Sequence, residues 1–218
     1  MVVTQQRTRI VLVRHGHVEG IDPPRFRGRL DLPLTAQGVR QAELTRDYLA
    51  WTFRPASVYT SPLSRCVRTG EILAQPYGLA PSTLADIVDI DYGAWQGKSY
   101  DEVQAAESAA FSRWCRAPHL AEIPGGETLH DLAARVARVM RTIAAAHRGQ
   151  TVLLVGHDTV NRISLLLALE ASLGRFWSIG QQPCAVNVLE YDDAAGWIVR
   201  SLNERGHLRH ETLAHDQG

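Results

Sequence analysis

Five short runs rich in Val, Ile, Leu and Tyr punctuate the chain, at residues 10–13, 57–60, 151–155, 185–191 and 197–202. Their length and β-branched content predict strands. Between them lie segments with helical spacing of apolar positions. Thr35 reads as an N-cap, with Gly38 in the first turn and Val39, Ala42, Leu44 and Leu49 following at helical intervals. A second helix is predicted over 64–75, stopped by Pro76; a third over 99–116, stopped before Pro118; a fourth over 128–147, ended by Gly149; and a fifth from Asp158 onward. Strands alternating with helices over one domain length imply a three-layer α/β/α sandwich around a mostly parallel sheet.

No repeat, low-complexity tract or Pro/Gly/Ser-rich linker divides the chain, so residues 1–206 read as a single domain. The stretch 207–218, with His207, His210 and His215, reads as a solvated, partly disordered C-terminal tail. Two irregular segments interrupt the pattern. Residues 20–33 carry Arg25, Arg27 and Arg29, and residues 118–126 end in Pro124-Gly125-Gly126. Long loops in α/β enzymes often cover sites.

Composition narrows the function classes. The 218 residues hold 23 Lys and Arg against 23 Asp and Glu, a net charge of zero that counts against a nucleic-acid or anionic-membrane binder. No apolar run is long enough to span a bilayer and the N-terminus lacks an apolar signal core, so a cytoplasmic location is expected. Three scattered cysteines, Cys66, Cys115 and Cys184, give neither a disulfide framework nor a Cys-based zinc site. A homodimer is compatible with the sequence, which does not fix the number of copies.

Charge is instead concentrated where strands end. Arg14-His15-Gly16 follows the first strand, Ser61-Pro62-Leu63-Ser64-Arg65 the second, and Gly156-His157-Asp158 the strand at 151–155. Ligands of open α/β sheets bind at the carboxyl ends of strands. An Arg there offers a planar fork of donors for phosphate, a His a ring nitrogen that serves as nucleophile or base, and Gly16 a backbone an anion can approach closely. His17 makes a His-x-His pair with His15 but has no third partner at metal-ligand spacing, so no metal is expected.

These motifs resemble the histidine phosphatase (phosphoglycerate mutase-like) superfamily. The resemblance extends, in order, through Gly28-Arg29-Leu30-Asp31-Leu32-Pro33-Leu34-Thr35, Asp91-Tyr92-Gly93-Ala94-Trp95-Gln96-Gly97 and Pro124-Gly125-Gly126-Glu127. It implies a cofactor-independent phosphatase of small phosphorylated metabolites, in which His15 takes the phosphoryl group and Arg14, Arg65 and His157 surround it. It further implies that the leaving group is protonated by Asp89, which stands where relatives usually carry a Glu. Asp158 is the competing acid, through a resemblance to the acid phosphatase branch; otherwise an Asp ahead of an apolar helix caps it. Gly28 matches a loop glycine of the family, Arg27 precedes it as a candidate substrate contact, and Ile21 stands where many relatives have a phosphate-binding Asn. Related activities include α-ribazole phosphatases and cofactor-dependent phosphoglycerate mutases. The compact stretch between Trp95 and Pro124 favours hydrolysis over the mutase alternative, and the presence of all four charged residues counts against a catalytically silent scaffold. Phe111 and Trp114, in the segment where relatives place a lid, are expected to form the buried face of a helix, and Trp95 to pack in the core.

Overall fold

The structure, a computed structural model, describes residues 7–208. Six strands form one sheet in the order β3-β2-β4-β1-β5-β6. They are β1 (Thr8–Arg14), β2 (Ser57–Thr60), β3 (Ser82–Thr83), β4 (Thr151–Gly156), β5 (Val186–Asp192) and β6 (Gly196–Glu204). β1, β2, β3 and β4 run parallel, while β5 lies antiparallel to both β1 and β6. The sheet is therefore mostly parallel, with one reversed strand. β3, which the hydrophobic pattern does not reveal, has only two residues, both exposed.

The alternation of side chains along β1 explains the layers. Val11 and Val13 join Leu153 and Val155 of β4 in a core with Leu49, Cys66 and Leu73, from α1 (Ala36–Thr52) and α2 (Ser64–Ala74). Ile10 and Leu12 face the other way, into a larger core with α5 (Leu129–Ala146) and α6 (Asp158–Ala168). Thr35 caps α1 as its position predicts, its side chain accepting the Gly38 N–H at 3.1 Å. Among the described residues no helix is long and apolar enough to cross a membrane.

Two expectations need correction. The helix predicted over 99–116 is two helices, α3 (Tyr100–Ala106) and α4 (Ser108–Arg116). Glu107 between them leaves helical geometry, at φ −136° and ψ 49°. The bend lets Phe111 meet Phe26 and Tyr100 while Trp114 packs between Tyr92, Phe176 and Trp177. Both aromatics thus serve packing, as does the fully buried Trp95. The solvated tail does not begin at 207 either: the His207 ring stacks on Tyr48 at 4.8 Å and meets Thr45 Oγ1 at 3.0 Å, and Leu208 is buried against α1. His210 and His215 lie outside the described residues.

Candidate active site

Parallel register assembles the floor of the site. Arg14 ends β1 opposite Gly156 of β4, and the next backbone N–H, that of His15, donates to the Gly156 carbonyl at 3.0 Å. On the other side of β4, Thr60 pairs with Val155 and the Ser61 N–H donates to the Val155 carbonyl at 3.0 Å. His15, Ser61 and His157 therefore each stand one residue beyond neighbouring strands. The His15 and His157 rings meet edge to face, with centroids 5.3 Å apart. Arg65 enters from the first turn of α2. All five side chains, Arg14, His15, Ser61, Arg65 and His157, are buried.

His15 Nδ1 lies 2.7 Å from the Gly16 carbonyl, which only accepts, so Nδ1 carries the proton and Nε2 is left with its lone pair. Burial, the two guanidiniums of Arg65 and Arg14, and His157 together hold the His15 pKa well below the ordinary histidine range. The ring is consequently neutral and nucleophilic at Nε2 near pH 7.

Arg65 is held by loop carbonyls: Nη1 donates to Leu30 at 2.6 Å and Nη2 to Gly28 at 2.7 Å. Gly28 adopts φ +45°, and a Cβ there would stand 2.8 Å from the Ile90 carbonyl oxygen. Its place in the site is to bring a carbonyl to Arg65. Arg14 donates to the Gln181 carbonyl and lies 3.9 Å from Asp158. The Gln181 side chain is itself held by Asn187 and Asn161. Among the described residues the Nε atoms of Arg14 and Arg65 are buried without a partner, two cationic donors such as an oxyanion satisfies.

Gly16 corrects an expectation. Its N–H donates to Thr69 Oγ1 at 3.2 Å rather than standing open to an anion, and a Cβ on it would sit 2.4 Å from the Gly38 carbonyl oxygen. The glycine is required by the close approach of α1. Arg27 is half-buried, donates to the Gly20 carbonyl, and lies close enough to bear electrostatically on Arg14 and Asp89.

Asp89 joins the floor from irregular chain. Its Oδ2 is 3.3 Å from Arg65 Nη2 and 3.6 Å from His157 Nδ1, and its Oδ1 accepts from Thr159 and the Ile90 N–H. Burial raises its pKa, but His157, Arg65 and Thr159 outweigh that and leave it below the usual carboxylate range. Asp158 is next to Arg14 instead. It occupies the first turn of α6 without capping it, paired with Arg162 four residues on, which also donates to the Phe176 and Ile179 carbonyls. The arrangement places Asp89, not Asp158, beside His157 and Arg65.

Sequence reasoning missed what holds Asp89. Arg135 of α5 donates to the carbonyls of Asp86 (2.8 Å), Val88 (2.6 Å) and Asp89 (3.1 Å), and its guanidinium is gripped by Glu127 at 2.6 and 2.8 Å. Arg29, which is exposed, also reaches the Asp89 carbonyl, Asp91 and Glu127. The signal was a charged residue inside the apolar stripe Leu132, Val136, Val139. Among the described residues no group of three His, Cys, Asp or Glu side chains is arranged to hold a metal.

The sequence that builds this pocket matches the profile of the histidine phosphatase superfamily (branch 1) over residues 10–205. The chain belongs to that superfamily. The chain is 31% identical to phosphoserine phosphatase 1 of Hydrogenobacter thermophilus, over 92% of its length and 94% of the relative. It is 31% identical to a metal-independent phosphoserine phosphatase of Arabidopsis thaliana, over 94% of this chain and 85% of the relative. Its fold superposes on Bacillus stearothermophilus YhfR with a TM-score of 0.87 at 28% identity, covering 93% of this chain and all of that one. The chain spans about half the length, 55%, of mycobacterial relatives to which it is 32% identical, among them a bifunctional protein of Mycobacterium tuberculosis.

Proposed function

We propose that the protein hydrolyses small phosphomonoesters, without a metal, through a phosphohistidine at His15. The observation that carries this reading is the His15 ring, tied through Nδ1 to the Gly16 carbonyl so that the unprotonated Nε2 is its free nitrogen, in the company of Arg14 and Arg65. In-line transfer needs a positioned nucleophile and positive charge on the phosphoryl oxygens. Nε2 attacks phosphorus as the P–O bond to the leaving group breaks. The departing alkoxide takes a proton from Asp89 and leaves as the alcohol. Asp89 holds that proton when the substrate dianion offsets the field of Arg65 and His157 that otherwise lowers its pKa. Water then attacks the phosphohistidine and gives its proton to the Asp89 carboxylate, and phosphate departs.

The relatives named phosphoserine phosphatases support phosphoserine as the first substrate to assay, with Arg27 as a contact for its phosphate or carboxylate. Free Cys66 and Cys115 suit the reducing cytoplasm. The test is phosphate release from a panel of phosphorylated metabolites in excess chelator, with rapid quenching into alkaline detergent during turnover. Activity should survive the chelator, and an acid-labile phosphate should be trapped on the chain. Chelator-sensitive turnover, or turnover with no trapped phosphate, overturns the proposal.

A further inference from the structure

Ser61 is fully buried and takes no part in the steps above, yet its Oγ stands 2.7 Å from Nε2 of His157. The same oxygen accepts the Leu63 N–H at 3.4 Å. Across the ring, Nδ1 faces Oδ2 of Asp89 at 3.6 Å. Cys66 Sγ lies 3.5 Å from Nε2 and directs its thiol to the Gly156 carbonyl, also at 3.5 Å. Burial, partly offset by Asp89 and reinforced by Arg65 and Arg14, lowers His157 to about 3, so the ring is neutral and has one proton to place.

A neutral imidazole donates from one nitrogen and accepts at the other. Here both edges favour the same choice. The Ser61 oxygen accepts from Leu63, and its one proton has an acceptor in Nε2 at 2.7 Å. The Asp89 carboxylate favours an N–H on Nδ1. At 3.6 Å that N–H is too far to be consumed by the carboxylate. It is left to donate to a further acceptor, and the His15 ring stands next to it with centroids 5.3 Å apart.

We propose that Ser61 is a positioning residue that locks His157 in its Nδ1–H tautomer, so that the ring donates a hydrogen bond to a phosphoryl oxygen. The opposite tautomer would turn a lone pair towards the phosphate and repel it. The donor role rests on the phosphatase reading; the tautomer does not.

The experiment is long-range proton–nitrogen correlation on the full chain labelled with nitrogen-15 histidine, at neutral pH. In the wild type, His157 should show a protonated Nδ1 and an unprotonated Nε2. Ser61→Ala should move that signature towards a mixture of tautomers and lower kcat roughly 10- to 100-fold, the usual scale for losing a group that fixes a functional histidine. Ser61→Thr, which restores the hydroxyl, should recover both readouts. A wild type protonated on Nε2, or a Ser61→Ala protein with the wild-type tautomer, overturns the proposal. An Nδ1–H tautomer in a protein without phosphatase activity would sink the function proposed above and leave the lock standing.

Discussion

His15, Ser61 and His157 stand one residue beyond three neighbouring strands, and the parallel register of β1, β4 and β2 suffices to bring them together. Asp89 stands on irregular chain, where register has no hold. It is placed by Arg135, eight residues beyond Glu127 on another element, and by Arg29 from a third. The three strand-end residues are thus fixed by hydrogen bonds between backbones, and Asp89 by side chains gripping backbone carbonyls. Catalytic geometry of the first kind tolerates change in its surroundings; the second depends on a few buried ionic contacts whose loss leaves charges and carbonyls unpaired.

The contrast can be broken in order of effect. His15→Ala removes the proposed nucleophile and should cut kcat by at least about 1,000-fold, with no acid-labile phosphate after quenching. Asp89→Asn keeps the floor intact and should cost about 100-fold for alkyl phosphates and less for aryl phosphates with good leaving groups. Asp158→Asn should leave that leaving-group dependence unchanged; the reverse pattern would reassign the acid. Arg135→Lys retains charge but loses the planar fork that spans three carbonyls. Roughly tenfold loss confined to poor leaving groups is expected, with about 1–3 kcal/mol of stability lost from unpaired buried carbonyls. An equal loss for all leaving groups would mean that Arg135 supports the floor as well.

Acid stability probes the floor through its two histidines. His15 and His157 are both held neutral by burial, their pKa values depressed in the folded state. Between the ordinary histidine pKa of about 6.5 and the lowered folded value, the unfolded chain binds protons that the folded chain refuses. Stability is therefore fully present above about pH 7 and lost as pH falls. His157 alone contributes a slope of about 1.4 kcal/mol per pH unit in that window. Asp89, also lowered, adds to the loss only below the ordinary carboxylate range. Denaturant titrations of wild type and His157→Asn from about pH 7 to about pH 4 should show a shallower slope in the variant.

The same contrast explains what could be read from the sequence. Strand ends at residues 13, 60 and 155 are visible as the limits of apolar runs, so the apolar pattern alone puts Arg14, His15, Arg65 and His157 at one edge of the sheet. The layers follow from alternation along β1. Asp89 required the family resemblance, since nothing in the local pattern around it distinguishes it from Asp86 or Asp91. Arg135 and Arg29 escaped because their partners are distant in sequence and partly carbonyls, which carry no residue identity. Glycines were legible as special but not in their purpose: Gly16, whose N–H donates to Thr69, serves α1, and Gly28 serves Arg65 through its carbonyl. The split at Glu107 was hidden because its neighbours favour helix on both sides.

Gly16 and Gly38 face each other so closely that a Cβ on either would lie within 2.4 Å of backbone: the first against the Gly38 carbonyl oxygen, the second against that of His17 at 2.2 Å. Any side chain at these two positions wedges the first helix away from the loop that carries the nucleophile. A screen scored on activity alone would file such variants with His15→Ala and mistake a spacing requirement for chemistry. Loss that grows with side-chain volume at Gly38, from Ala through Ser to Val, would separate the two kinds of intolerance, because a missing nucleophile has no volume dependence. The mutational silence around the motif thus reports two constraints superimposed, one on reactivity and one on the thickness of a peptide.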